Sequence, residues 1–290
     1  MKEFVIVTDT TTDLPREYVE KHHLYMMSLP YTLEGTSYTW ENPMPFKEFY
    51  DKMRAGSLPT TSQANPEEAA TLYESILKEN DVDILHIAFS SGLSGSFNSC
   101  RIAAADVCEK YPDRRIVVVD SLAATLGQGL LVYKAVQLKE AGKNLDEIAA
   151  WLEENKYHLV HNFTVDDLFH LHRGGRLSKT AAIVGTMINL KPVLHVDDEG
   201  HLVMLSKVRG RKKSLIGLVD CMEKQLGDWK DKNDIIFISH GDCPEDAQFV
   251  ADLIKERFGY ENFMIDYIGA TIGAHSGPGT VALFYMGDHR

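Results

Sequence analysis

The sequence predicts an α/β protein built in two parts, and three observations predict it. Short β-branched runs alternate with helical patterns through the first half, as at FVIVT (4–8), DILHIAF (83–89) and RIVVVD (115–120). Strands spaced by helices of that length pair in parallel through crossover connections, giving a Rossmann-like sheet with helices on its faces. The second half changes rhythm. LKPVLHVDDEGHLVMLSKV (190–208) is two apolar runs around Asp198-Glu199-Gly200, a hairpin, and it belongs to a smaller two-layer mixed α/β unit. Finally, 290 residues are enough for one large domain or two ordinary ones. The change of rhythm near 157–166 sets the expected boundary, with an N-terminal domain over 1–160 and a C-terminal domain over 161–290.

Taken in order, FVIVT opens the chain as a strand and PREYVEKH (15–22) follows as a short helix begun by Pro15. LPYTLEGTSYTW (29–40) is a hairpin turning at Glu34-Gly35, and PFKEFYDKMRA (45–55) is a helix stopped by Gly56. Asn65-Pro66-Glu67-Glu68 joins an N-cap, a proline at the first helical position and acid in the first turn, so a helix starts there. After DILHIAF comes a Ser/Gly loop, a helix from near Ser94 to about Lys110, and the strand RIVVVD. Beyond the 190–208 hairpin, DIIFISHG (234–241), a helix from Pro244 to about Phe258, NFMIDYIG (262–269) and TVALFYM (280–286) complete the second layer.

Bulk properties exclude some functions. A net charge of −12 argues against a general nucleic-acid binder, whose footprint is a basic face. The four cysteines, Cys100, Cys108, Cys221 and Cys243, show no CxxC spacing and read as buried thiols in a reducing compartment. Met1-Lys2-Glu3 runs straight into a strand with Asp9 close behind, unlike a signal peptide, and no apolar run reaches the ~18 residues a membrane span needs. A cytoplasmic protein is expected.

Four clusters carry the chemistry. In AFSSGLSGSFNSC (88–100) a strand hands over to a helix through serines and glycines, which places orphan amides, a helix N-terminus and the Ser91, Ser94 and Ser96 hydroxyls together. Such a corner binds anions, although a plain turn with a Ser cap reads the same way. Gly92-Leu93-Ser94-Gly95-Ser96 misses the closing glycine of a hydrolase elbow. No glycine run precedes Lys-Ser/Thr as in a phosphate loop, and Gly127-Gln128-Gly129 lacks the third glycine of a dinucleotide fingerprint. LPTTSQANP (58–66) is a second hydroxyl-rich loop feeding a helix start, with Thr60, Thr61, Ser62 and Gln63; ordinary capping or a shared ligand both account for it. IGATIGAHSGPGTVAL (268–283) sets His275 among glycines in a tight loop, where it can act as base, donor or ligand. FHLHRGGRLSK (169–179) offers His170 and His172, without a third metal ligand at useful spacing, and an anion-facing turn between Arg173 and Arg176. A further stretch, KVRGRKK (207–213), puts five cations where a helix should begin, against the macrodipole.

In this order the clusters resemble the DegV family of bacterial fatty-acid-binding proteins. The residues that carry the resemblance are TDTTTDLP (8–15), TTSQ (60–63), SGLSGS (91–96), VVDS (118–121), RGGRLS (173–178), KPVL (191–194), KVRGRKK (207–213) and HSGPGT (275–280). They run from the first strand to the last; Ser96 stands where many members have Thr, and the hydroxyl is kept. The resemblance implies a long-chain fatty acid in a tunnel between two α/β domains. It further implies that hydroxyls and helix N-terminal amides matching Thr61, Ser62, Ser94 and Gly95 hold the carboxylate, with His275 close by. Some members present their fatty acid to a separate ATP-dependent kinase, which makes the acyl phosphate. That role needs no cofactor and no nucleotide site here, and it makes Arg173 and Arg209 candidates for contacting the phosphate or the kinase. The rival expectation is a self-contained serine esterase or acyltransferase with Ser94 as nucleophile and His275 as base. A lone phosphotransferase resembling dihydroxyacetone kinase would need a nucleotide motif that the sequence lacks.

Overall fold

The computed structural model describes residues 2–177 and 190–290. Its first sheet holds β1 (Phe4–Asp9), β2 (Tyr25–Met27), β6 (Asp83–Ala88) and β7 (Ile116–Asp120) in the order β2-β1-β6-β7, every pair parallel. The helices between them are α1 (Arg16–Lys21), α2 (Phe46–Arg54), α3 (Pro66–Glu79) and α4 (Ser96–Lys110). At the head of α3, Asn65 and Glu68 form a reciprocal capping box, which is why the Asn-Pro-Glu-Glu signal was legible. A small antiparallel sheet joins β3 (Tyr31–Leu33), β4 (Thr36–Tyr38) and the two-residue β5 (Thr60–Thr61). Tyr31 pairs with Thr61 there, so the second hydroxyl loop is anchored by a strand rather than left loose.

The second sheet has six strands in the order β10-β9-β8-β13-β11-β12. These are β8 (Leu159–Thr164), β9 (Leu190–Val196), β10 (Leu202–Arg209), β11 (Ile236–His240), β12 (Phe263–Tyr267) and β13 (Val281–Met286). All neighbours are antiparallel except β11 and β12. Helices α8 (Arg211–Gln225) and α9 (Pro244–Phe258) cover one face.

Helix α5 (Thr125–Glu140) lies between the two sheets, followed by α6 (Leu145–Asn155) and, after β8, the short α7 (Phe169–Arg173). Leu126 through Val132 are all buried on α5, so it has no polar stripe and no readable amphipathic period. Its glycines serve packing rather than a cofactor. A Cβ on Gly127 would stand 2.6 Å from the His161 ring, and one on Gly129 would stand 2.9 Å from the Thr12 carbonyl. One continuous core runs from Ile6 and Leu85 through Leu126 and Leu130 to Phe163 and Phe284.

Three local expectations change. Helix α4 starts at Ser96 with Gly95 as its cap, leaving Ser94 in the loop. The strand β10 continues through Lys207 and Arg209 before Gly210, at φ 93°, turns the chain into α8. Only Arg211, Lys212 and Lys213 therefore face the macrodipole, and Arg211 is compensated by Asp246 at 2.8 Å. Ala270–Ser276, read as a glycine loop, is the short helix α10. Gly273 is tolerated there because α10 packs flush on α2, where a Cβ would meet the Tyr50 hydroxyl at 2.5 Å. No described helix is long and apolar enough to cross a membrane, and all four cysteines are free thiols.

Candidate functional site

The site begins at the C-terminal ends of β1 and β6, where open α/β sheets place their ligands. Asp9 ends β1, fully buried. One carboxylate oxygen lies 3.1 Å from His86 Nε2, and the other accepts from the Phe89 N–H and, at 3.2 Å, from Gln128 Nε2. Tyr73 Oη meets the other His86 nitrogen at 2.5 Å. Burial opposes charging His86, but Cys100 and Asp9 beside it hold its pKa up to about 10. The pair thereby neutralises a buried carboxylate whose removal from water would otherwise be costly. Asp9, His86 and Cys100 also bring three potential metal-ligand atoms within 4.8 Å. The Asp9 oxygens and both His86 nitrogens already have protein partners, so this cluster works as a hydrogen-bonded pin for the first residue of the serine loop.

From Phe89 the chain enters that loop. Ser90 Oγ donates to the Gly200 carbonyl at 3.0 Å, and a Cβ on Gly92 would run into the Glu199 carbonyl at 2.6 Å. The β9–β10 hairpin turn thus clamps the loop from the second half of the chain. Ser94 Oγ pairs with Ser96 Oγ at 2.9 Å, and Ser96 Oγ accepts from the Ala64 N–H at 3.1 Å. Across the same junction, Gln63 Oε1 sits 2.4 Å from where a Gly95 Cβ would be. The two hydroxyl loops therefore touch, and Ser96 and Gly95 make the joint rather than the lining. The Ser94 N–H is bonded to the Ser90 carbonyl at 3.1 Å.

Beside this joint opens a cavity of about 320 Å³. Thr61, Ser62, Gln63, Ser94, Arg176 and His275 form its polar end. Its walls are apolar and come from both halves: Leu29, Phe89 and Leu93 on one side, Phe163, Leu202 and Phe284 on the other. Thr61 Oγ1 lies 2.8 Å from His275 Nε2. Desolvation, with Arg176 and Arg173 nearby, lowers the His275 pKa to about 4, so the imidazole is neutral at pH 7. Burial also pulls the Arg176 guanidinium below its ordinary value. Arg176 Nε holds the Leu93 carbonyl at 3.1 Å, which keeps the charge at the mouth of the serine loop.

Of the residues singled out from sequence, Thr61, Ser62, Ser94 and His275 line the cavity, and Gly95 does not. Arg173 stands behind the site. Its Nη2 donates to the Pro59 carbonyl at 2.9 Å and the Ala274 carbonyl at 3.0 Å, tying the β5 approach to α10. Arg209 is exposed at the end of β10, away from the cavity. The His170–His172 pair divides, with His172 exposed and His170 half-buried against Gly277. Ser178, the last residue of RGGRLS, lies outside the described residues. Sequence reasoning gave Arg176 an anion-facing turn with Arg173, but it missed Ser276 and His161 as lining groups. Ser276 had a signal, since it adjoins His275 in its motif. His161 had none, because LVHNFT reads as an ordinary strand.

Among the described residues the geometry does not assemble a hydrolytic triad. A serine nucleophile needs a base within hydrogen-bond reach and a third group orienting that base. Ser94 is bonded to Ser96, while His275 Nε2 is bonded to Thr61 and its Nδ1 meets no carboxylate among the described residues.

Comparison with known proteins agrees with fold and motifs alike. Residues 3–288 match the family described as uncharacterised protein, DegV family COG1307. A DegV domain-containing protein of Clostridium perfringens (strain 13 / Type A) is 46% identical over 292 residues, covering 100% of this chain and 99% of that protein. A Thermus thermophilus DegV family protein, whose structure is described as showing fatty acid binding, superposes with a TM-score of 0.86 at 31% identity, over 99% of this chain and 100% of that one. DegV of Bacillus subtilis, described as a fatty acid binding protein, superposes with a TM-score of 0.84 at 30% identity, over 99% and 100% of the two chains. The chain belongs to the DegV family.

Proposed function

We propose that this protein binds a long-chain fatty acid with its carboxylate at Thr61, Ser62 and Ser94, beside His275 and Arg176. The observation that carries the reading is the cavity's asymmetry. Hydroxyls from two loops, a neutral imidazole and one guanidinium meet at one end of a largely apolar space of about 320 Å³. A carboxylate taken out of water needs directed donors and a compensating charge, and that end supplies both. The Thermus thermophilus and Bacillus subtilis relatives, described as fatty-acid binders, support the same assignment. Burying a C16 chain contributes about 10 kcal/mol at roughly 0.8 kcal/mol per methylene, before association costs.

In this reading residues 1–160 supply the carboxylate loops and 161–290 cover much of the acyl chain. The bound acid is presented to an ATP-dependent partner kinase for conversion to the acyl phosphate. The mouth at Arg176 and Ser94 faces the partner, and exposed Arg209 is a contact for the kinase or the phosphate. Arg173 acts indirectly, by holding α10 and β5 together around His275. The α4 N-terminus adds a favourable dipole, and Gly95 keeps the two loops in contact.

The test is extraction of the purified protein and mass spectrometry of the lipid that accompanies it. A Thr61→Ala/Ser94→Ala variant should lose at least nine-tenths of that fatty acid while keeping its melting temperature within a few degrees. Undiminished lipid in the double variant would overturn the carboxylate assignment.

A further inference from the structure

The cavity has a second polar feature that the carboxylate does not explain. His161, on β8, is 1% exposed and lines the cavity, yet neither ring nitrogen has a hydrogen-bond partner among the described residues. Its ring packs on apolar groups, with Arg290 and His195 near enough to oppose its protonation. Phe284 stands edge-on with ring centroids 5.6 Å apart, and the backbone of α5 at Gly127 closes one side of the ring. A neutral imidazole carries one donor and one acceptor. Leaving both unmet takes two polar groups out of water with nothing in return, which is unfavourable.

Its position along the cavity is readable from the strands. Thr280, Ala282 and Phe284 alternate along one face of the last strand segment and all line the cavity. Thr280 donates to the Ser276 and Gly277 carbonyls, which places that end beside His275. Phe284 pairs with His161 across the sheet, four residues further on. At about 3.3 Å per residue His161 lies roughly 13 Å from the Thr280 corner, down the apolar part of the cavity.

We propose that His161 is a specificity residue and that the cavity favours a fatty acid bearing a hydroxyl on its chain, away from the carboxylate. The proposal rests on the fatty-acid reading above. A hydroxyl both donates and accepts, so it satisfies whichever nitrogen faces it, whatever the tautomer. A plain methylene chain leaves the ring unpaired, and a site with a buried polar group discriminates against the ligand that cannot meet it.

The experiment compares stearate with a positional series of hydroxystearates, substituted at carbons 7, 9, 10 and 12, by competition against a fluorescent fatty acid on the full chain. At least one isomer should bind wild type roughly three- to tenfold more tightly than stearate, the worth of one neutral hydrogen bond. His161→Phe, which fills the space without hydrogen bonding, should bind stearate and the hydroxystearates alike, so that the preference is lost. His161→Gln, which keeps a donor and an acceptor, should retain part of it and serves as the readout if the Phe variant does not fold. No preference for any isomer in wild type, or a preference that survives in His161→Phe, overturns the proposal while leaving the fatty-acid reading intact. Failure of stearate and every isomer to bind overturns both.

Discussion

Thr61 and His275 stand 214 residues apart in sequence and 2.8 Å apart in space. That contact joins the hydroxyl loop at β5 to the short helix α10, and it directs a neutral imidazole at the cavity mouth. Thr61→Val keeps the shape and removes the hydroxyl, leaving His275 Nε2 without its partner. The expected loss is about 1–2 kcal/mol by urea unfolding, with fatty-acid affinity reduced about tenfold. Unchanged values in both measurements would remove the pair from the site.

The same histidine imposes a pH dependence of known sign. Its pKa is about 4 in the fold against an ordinary 6.5, so the folded state binds fewer protons than the unfolded chain between those values. Stability from this group is present above pH 6.5 and is lost as pH falls towards 4, by about 3 kcal/mol at most. Melting curves of His275→Gln minus wild type should show this acid-side slope; parallel curves would show that His275 titrates normally.

Asp13 acts in the opposite sense. Burial, against hydrogen bonds from Thr125 and Gly269, raises its carboxyl from 3.8 to about 7. Its contribution is fully present below pH 3.8 and declines as pH rises through 7, because the folded state then has to hold a buried anion. Asp13→Asn should therefore gain stability relative to wild type from pH 4 to 8. A difference that is flat with pH would contradict the burial assigned to this carboxyl.

The Asp9–His86 pair predicts a cost far above that of a surface ion pair. His86→Leu strands a buried carboxylate and should destabilise by about 3–5 kcal/mol in denaturant unfolding. Adding Asp9→Asn to it should recover part of the loss, since the amide carries no charge. A loss below 1 kcal/mol for the single variant would show that the pin is not structural.

Two glycines separate loop geometry from core packing. A Cβ on Gly95 meets only the mobile end of Gln63, whereas a Cβ on Gly127 meets the packed rings of His161 and Phe284 at 2.6 and 2.8 Å. Gly95→Ala should cost under about 1 kcal/mol in stability and lower ligand affinity severalfold as the loops part. Gly127→Ala should cost about 1–3 kcal/mol through overpacking. Equal melting temperatures for the two would refute the distinction.

Much of this was legible without coordinates, because it depends on local chemistry. The capping box at Asn65 and Glu68, the Glu34-Gly35 hairpin and the alternating β-branched runs follow from backbone preferences of neighbouring residues. The hydroxyl loops and His275 were visible as residue types that the surrounding apolar pattern did not require. Helix α5 was not visible, since burial on all sides erases amphipathic period, and α10 was hidden by glycines that only its packing on Phe49 and Tyr50 explains.

The sequence by itself determined the fold class, the family resemblance and four of the six residues at the polar end, because motif and propensity act over a few residues. Tertiary structure decided the rest. It placed Gly95 and Ser96 in the joint between loops, set Arg173 behind the site and Arg176 in it, and buried His161 with no partner for its ring among the described residues. Those outcomes depend on which strands pair and which helix closes over them. Contacts between residues a hundred or more positions apart leave no spacing for a sequence to show.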